Sequence, residues 1–147
     1  MRKNFVESHD GPQGIVILDD ARIVPPLPHL PEGITAFFGT AGKWWGTWRS
    51  PQVKGGFDAA LIFEKLNEEV ADVVYIVPDY PPWYIKGCAW RAAARIAKRE
   101  AENERLSLLV PYEPLKTTME CWFEGNEFKG IMYGRFMKQV ILWKPLS

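Results

Sequence analysis

The feature that most constrains this chain is a series of short runs, rich in β-branched and aromatic residues, between Trp44 and Lys144. Turn-forming residues separate the runs at intervals of roughly 8 to 15 residues, a spacing that is typical of all-β domains. Links such as Gly125-Asn126 favour hairpins, so neighbouring runs are expected to pair antiparallel. The predicted strands are 43–49, 57–65, 70–77, 84–97, 105–110, 116–124, 127–134 and 137–144.

Side chains within these runs alternate between an apolar face and a polar face. In the second run, Asp58 and Glu64 lie on the face opposite to four alternating apolar residues, Phe57, Ala59, Leu61 and Phe63. Eight antiparallel strands must hide their edges, and closing the sheet into a barrel removes the edges altogether. The sequence therefore predicts a mainly β fold, an eight-stranded antiparallel up-and-down barrel. A two-sheet sandwich is the alternative.

The segment from Trp90 to Arg105 fits two kinds of secondary structure. Its content of Ala, Arg, Lys and Glu is typical of a helix. However, apolar residues alternate with Arg91 and Arg95, which is a strand pattern with a charged outer face. We favour strand, turn and strand over helix, because the runs on both sides leave an antiparallel sheet in need of a partner here.

The N-terminal part of the chain differs from the rest. Residues 1–35 contain five of the prolines and form a predicted Pro-rich arm, while residues 36–147 form the predicted barrel domain. The apolar stretch Ile15-Val-Ile-Leu18 is expected either to add a strand or to lie over the barrel. A short helical segment is predicted between Pro31 and Gly39, immediately before the first strand.

Composition excludes several classes of function. Lys plus Arg is 18 and Asp plus Glu is 18, so the basic charge of a general nucleic-acid binder is missing. No apolar run is long enough to span a bilayer, and the first residues do not form a signal peptide. Two cysteines in a chain of this length are more often reduced thiols than a disulfide, which predicts a cytoplasmic protein.

Metal and cofactor chemistry also lack their usual residues. The two histidines, His9 and His29, both lie in the arm, so a multi-histidine metal site on the barrel or a histidine-based triad cannot be assembled. No glycine-rich phosphate-binding motif occurs. We therefore expect neither a bound metal nor a nucleotide cofactor.

Aromatic residues are the unusual part of the composition, at 14% of the chain with seven tryptophans. A small barrel needs few large rings to fill it, so some are expected to line a pocket. The stiff link from Pro78 to Trp83 is predicted to lie at its mouth, with Trp83 as a little-buried rim residue. Asp72 is either an inward polar anchor or part of a frayed strand start. The predicted ligand-binding residues are Asp72, Tyr75, Trp83, Tyr84, Trp90 and Tyr133.

The start of the first strand, Gly42-Lys-Trp44, resembles the Gly-x-Trp opening of the calycin group, which includes lipocalins, fatty-acid-binding proteins and avidins. The resemblance implies a helical turn before the first strand and a Trp44 side chain packed across the closed end. Lipocalins also stack an Arg from the last strand on this Trp. The last run offers Lys138 and Lys144 instead, and Arg135 just before it is the candidate substitute.

We expect a binding protein without catalytic turnover, which holds a small, mostly apolar or aromatic molecule inside the barrel. One alternative is an enzyme in which Asp72 or Glu64 works with Tyr75 or Tyr133 as general acid and base. A second alternative is an interaction module with a filled core, in which exposed aromatic residues contact another protein or a second copy in a homodimer.

Overall fold

The computed structural model describes residues 15, 21–99, 105–113, 116–134 and 137–146. These residues form one short helix and eight strands, so the predicted mainly β class is confirmed. The helix is α1 (Glu32–Phe38). The strands are β1 (Lys43–Arg49), β2 (Gly56–Leu66), β3 (Val70–Val77), β4 (Cys88–Arg99), β5 (Arg105–Tyr112), β6 (Thr117–Glu124), β7 (Glu127–Tyr133) and β8 (Lys138–Pro145).

The strands close into an antiparallel up-and-down barrel, as predicted, and the sandwich alternative is wrong. Each strand pairs with the next along the chain, and β1 pairs with β8 to complete the closure. A register shift between Phe63 and Lys65 places a bulge in β2 at Glu64. Within the described part of the chain, no helix combines the length and apolarity that a membrane crossing requires.

The segment from Trp90, which fitted both helix and strand, is a strand through Arg99. The whole of β3 pairs with β4, from Val77 opposite Cys88 to Val70 opposite Arg95. This pairing overrides the helix propensity of the alanine and arginine residues. The turn was predicted from Lys98 to Glu104, but Lys98 and Arg99 still belong to β4 and pair with β5. Residues 100–104 lie outside the described residues.

The start of this strand was predicted too early, at residue 84 instead of Cys88. Pro81 to Trp83 form a short 3-10 turn, and Tyr84 follows it with a left-handed φ of 58°. Tyr80 and Ile85 form an isolated bridge across this turn. The prolines fix a tight turn where the apolar and aromatic side chains suggested a strand.

Helix α1 covers one end of the barrel, which we call the closed end. Trp44 lies at this end and donates a hydrogen bond from Nε1 to the carbonyl of Phe37 at 2.9 Å. Its ring packs edge-on against Phe128 at a centroid distance of 4.8 Å. Gly42 has a φ of 72°, and a Cβ there would lie 2.7 Å from the Phe38 ring. The glycine thus lets the chain turn tightly from α1 into β1.

The apolar residues form two clusters rather than one. The larger cluster fills the barrel and includes the inward side chains of all eight strands. The smaller cluster lies outside it, where four outward residues of β2 and β3 are buried beneath the arm. These four are Ala60, Ile62, Val74 and Ile76, and the arm residues that pack on them are Ile15, Ala21 and Ile23. Ile15 therefore lies over the barrel, while 16–18 fall outside the described residues.

Candidate functional site

The end opposite α1 carries the links between β1 and β2, β3 and β4, β5 and β6, and β7 and β8, and we call it the loop end. The ladder between β4 and β5 stops at Arg95 and Leu109. Nearer the loop end the described residues of the two strands are not paired with each other, and Pro111 there has no backbone N–H to donate. The ladder of the barrel wall is therefore interrupted beside Trp90 and Tyr112.

Three aromatic side chains face inward beside this gap, and we call them the aromatic triad: Tyr75, Trp90 and Tyr112. The ring of Trp90 lies 4.8 Å from that of Tyr75 in an edge-on arrangement. It lies 5.0 Å from the ring of Tyr112 and is tilted by 32°. Tyr75 and Tyr112 are themselves 6.0 Å apart and edge-on. Tyr75 and Tyr112 are buried, so the accessible surface of the triad belongs to the partly buried Trp90.

The triad is anchored to the opposite wall through Tyr75. The indole N–H of Trp48 on β1 donates a hydrogen bond of 2.6 Å to the Tyr75 hydroxyl. Trp48 also packs edge-on against Trp143 of β8, at 6.2 Å. Trp48 and Tyr75 are fully buried, so this contact crosses a dry interior. It fixes the position of the Tyr75 ring against which Trp90 lies.

Trp90 combines two properties that are unusual for an inward side chain. It is only partly buried, although it points to the same side of the sheet as the fully buried Tyr75. Its Nε1 atom is nevertheless buried and has no hydrogen-bond partner among the described residues. Ala92, the next inward residue of β4, is also only half-buried. Part of the Trp90 side chain is therefore accessible to solvent, while its N–H donor is buried and unused.

Burial keeps the ionisable groups of this region neutral. Desolvation raises the pKa of Tyr75 well above its ordinary value, and the neighbouring Tyr112 adds to the effect. Desolvation likewise raises the pKa of Tyr112 and of Cys88. It raises the pKa of Cys121, deeper in the barrel, to about 12. At neutral pH these hydroxyls and thiols keep their protons.

Two further unused polar atoms lie toward the same end, the buried Nε1 of Trp83 and, on the opposite wall, an atom of Gln139. Gln139 is buried at 2% exposure on the inward face of β8, and its Oε1 has no partner in the described structure. In the part of the chain that is described, no charged side chain is buried. The loop end thus offers an indole donor and an amide acceptor in uncharged, aromatic surroundings.

The structure separates the six sequence-predicted site residues. Tyr75 and Trp90 are brought together in the triad. Tyr84, in contrast, is 88% exposed on the 3-10 turn, and Tyr133 is 63% exposed on the outer face of β7. Neither of these two tyrosines faces the interior.

Asp72 is exposed and points outward, so the inward polar anchor was wrong. Asp72 shares a face with Val74 and Ile76, and that face resembled a core face because the arm buries its apolar residues. The inward face of β3 carries Val73 and Tyr75 instead.

Trp83 lies near the loop end, as predicted, but it is not a little-buried rim residue. Only 7% of it is exposed, because its ring packs edge-on against Phe57 at 5.7 Å and Tyr80 at 5.5 Å. The Tyr80 hydroxyl accepts a hydrogen bond from the backbone of Gly56 at 3.1 Å, which ties the turn to β2. Trp83 therefore has a structural role beside the triad.

The acid and base pairs of the enzyme alternative are not formed. Glu64 lies on the outer wall, where its carboxylate accepts hydrogen bonds from Arg91 at 2.9 and 3.2 Å. Asp72 is also outside, whereas Tyr75 is inside. Within the described ranges, no cluster of three or more His, Cys, Asp or Glu side chains is placed to hold a metal ion.

Sequence reasoning missed Tyr112, Trp48 and Gln139 as members of this region. A signal was present, because Tyr112 continues the alternation of Leu108 and Val110 and therefore faces inward. Gln139 has the same parity as Ile141 and Trp143 in the last strand. Comparisons with models of known families, with curated proteins and with solved structures give no match to this chain.

Proposed function

We propose that the chain binds a small, uncharged, mostly apolar or aromatic molecule at the loop end of the barrel, without catalysing a reaction on it. The observation that carries the proposal is Trp90. Its inward ring is in contact with two tyrosine rings and is reached by solvent, and its buried N–H has no partner among the described residues. An unpaired buried donor costs free energy, which a ligand acceptor would recover.

The surroundings support a neutral ligand. The groups that titrate here are held protonated by burial, and transferring a charged ligand into such surroundings without a counter-charge is costly. Ring faces supply broad apolar contact, while the Trp90 N–H and the Tyr112 hydroxyl supply direction. The best ligand in this proposal is flat and carries at least one hydrogen-bond acceptor.

The proposal includes a calycin-like relationship and a cytoplasmic setting. The tight turn at Gly42 and the packing of Trp44 at the closed end support the first. Arg135, the candidate partner of that Trp, lies outside the described residues. Both cysteines are free thiols, a state that suits a reducing compartment.

A titration with a neutral fluorescent aromatic probe, N-phenyl-1-naphthylamine, tests the proposal. The parent protein should bind it saturably, and Trp90→Phe, which keeps a ring but removes the N–H, should bind an acceptor-bearing analogue about three- to tenfold more weakly. Trp45→Phe is the matched control, because Trp45 lies on the outer face of β1 beside Lys144. Absence of probe binding to the parent, or equal losses in both variants, would contradict the proposal.

A further inference from the structure

A second candidate site lies on the outside of the barrel, on the faces of β1, β6, β7 and β8. It is a groove of about 600 Å³, which we call the outer groove. Its centre is apolar, because Val140 and Leu142 of β8 are 38% and 40% exposed and Ile131 lies beside Val140 on β7. The comparable apolar face of β2 and β3 is covered by the arm.

Cationic side chains surround this apolar centre. Arg49 lies opposite Val140 on β1, and Lys129 lies opposite Leu142 on β7. Lys138 and Lys144 flank the centre along β8 itself. These two lysines are separated by six residue steps, which corresponds to roughly 20 Å along a strand.

The negative charge in the outer groove is small and already engaged. Among the described residues, Glu127 is the one carboxylate that lines it, and Lys129 lies 3.7 Å from Glu127 and 2.7 Å from Glu124. No ion pair of Arg49, Lys138 or Lys144 occurs within the described segments. The outer groove therefore carries a net positive potential around an exposed apolar strip.

We propose that the outer groove binds an extended peptide segment whose apolar side chains are flanked on both sides by Asp or Glu. The apolar side chains would cover Val140 and Leu142, and the carboxylates would pair with Lys138 at one end and Lys144 at the other. Cations at both ends of the strip match such a peptide better than an amphiphile with a single anionic head. Because β8 lies between two strands, paired with β7 from Lys138 to Trp143 and with β1 at Val140, Lys144 and Pro145, side chains carry the recognition.

The test is a titration of isotope-labelled protein with a capped peptide, Asp-Ser-Leu-Ser-Leu-Ser-Asp, followed by amide chemical shifts. In the extended form its Asp and Leu side chains share one face, with the same spacing as Lys138, Val140, Leu142 and Lys144. Saturable shifts should map to β7 and β8, and affinity should fall at least fivefold between about 50 and about 300 mM salt because exposed charges are screened. Lys138→Glu combined with Lys144→Glu should weaken binding at least tenfold. Leu142→Ser should weaken it at least fivefold, and Lys65→Glu, on β2, should leave it unchanged.

Several results would overturn the proposal. One is the absence of saturable shifts in β7 and β8. Another is equal binding of a peptide with Lys in place of Asp, and a third is decanoate binding at the outer groove without peptide binding. Since the substituted side chains are exposed or half-buried, the variants should stay folded. If the double lysine variant unfolds, Leu142→Ser decides alone, and an unchanged affinity in it refutes the proposal.

Discussion

The hydrogen bond from Trp48 to Tyr75 links β1 to β3 through the interior, where no water competes for it. Tyr75→Phe keeps the ring but leaves the Trp48 N–H without its acceptor. We expect this variant to lose about 1–3 kcal/mol of unfolding free energy, measured by urea denaturation. Tyr84→Phe is the control and should change stability by less than about 0.5 kcal/mol, because Tyr84 is exposed. Equal urea denaturation midpoints in the two variants would contradict a buried, water-free hydrogen bond between Trp48 and Tyr75.

Glu64 connects the arm to the barrel. Its carboxylate accepts a hydrogen bond from the backbone N–H of Arg22 at 2.9 Å, in addition to those from Arg91. The hydrogen bond from Arg91 is the main cause that lowers the pKa of Glu64, and desolvation partly opposes it.

A lowered folded-state pKa means that Glu64 stabilises the fold above the ordinary glutamate range, and that this stability is lost as pH falls through the folded pKa. Glu64→Gln should therefore cost up to about 1 kcal/mol near pH 7, because Arg91 is half exposed. The difference from the parent should shrink as pH falls below the ordinary glutamate range and vanish once pH is below the lowered folded-state pKa of Glu64. Denaturation curves at several pH values measure this difference in unfolding free energy. A difference that grows in acid would show that the pKa of Glu64 is not lowered in the folded state.

At the scale of elements, α1 depends on Trp44 as much as the barrel does. The ring is buried at the closed end, and its N–H is bound to the last turn of the helix. Trp44→Ala should therefore lower the unfolding free energy by about 3–5 kcal/mol. Trp45→Ala, on the outer face of the same strand, should lower the unfolding free energy by clearly less. A denaturation midpoint unchanged by Trp44→Ala would place this ring outside the core.

The eight strands show which features of a sequence are sufficient to predict strand bounds and inward faces. Alternation predicted β1 and β6 almost to the residue, because each has one buried and one solvated face. The bounds of β3 were also predicted to the residue, although its pattern is buried on both faces. It did not predict the start of β4, where prolines impose a 3-10 turn on an aromatic-rich segment. It also gave the wrong inward side for Asp72, since β3 has two buried faces and alternation alone does not identify the barrel side.

At the scale of the whole molecule, the closure of the sheet into a barrel was predicted from two arguments. The sequence indicates eight strands, and the two edge strands of an open sheet would need a partner. The candidate site was only partly predictable. Tyr75 and Trp90 were recognised as pocket residues, but their contact arises because β3 and β4 bring them to the same register position. Tyr112 joins them from β5, and the gap beside Pro111 depends on where the ladder ends. Contacts of this kind depend on the register between strands, which the residue pattern of a single strand does not reveal.

The central claim is that the Trp90 N–H is an unused donor that a ligand engages, and the indole N–H signals of the seven tryptophans test it directly. A two-dimensional proton–nitrogen spectrum, with Trp90 assigned through Trp90→Phe, is recorded during titration with a neutral aromatic ligand that carries an acceptor. The account predicts that the Trp90 indole proton moves downfield in a saturable way. The indole proton of Trp44, already bound to Phe37, should stay in place. A Trp90 signal that does not move while the ligand binds would contradict the account.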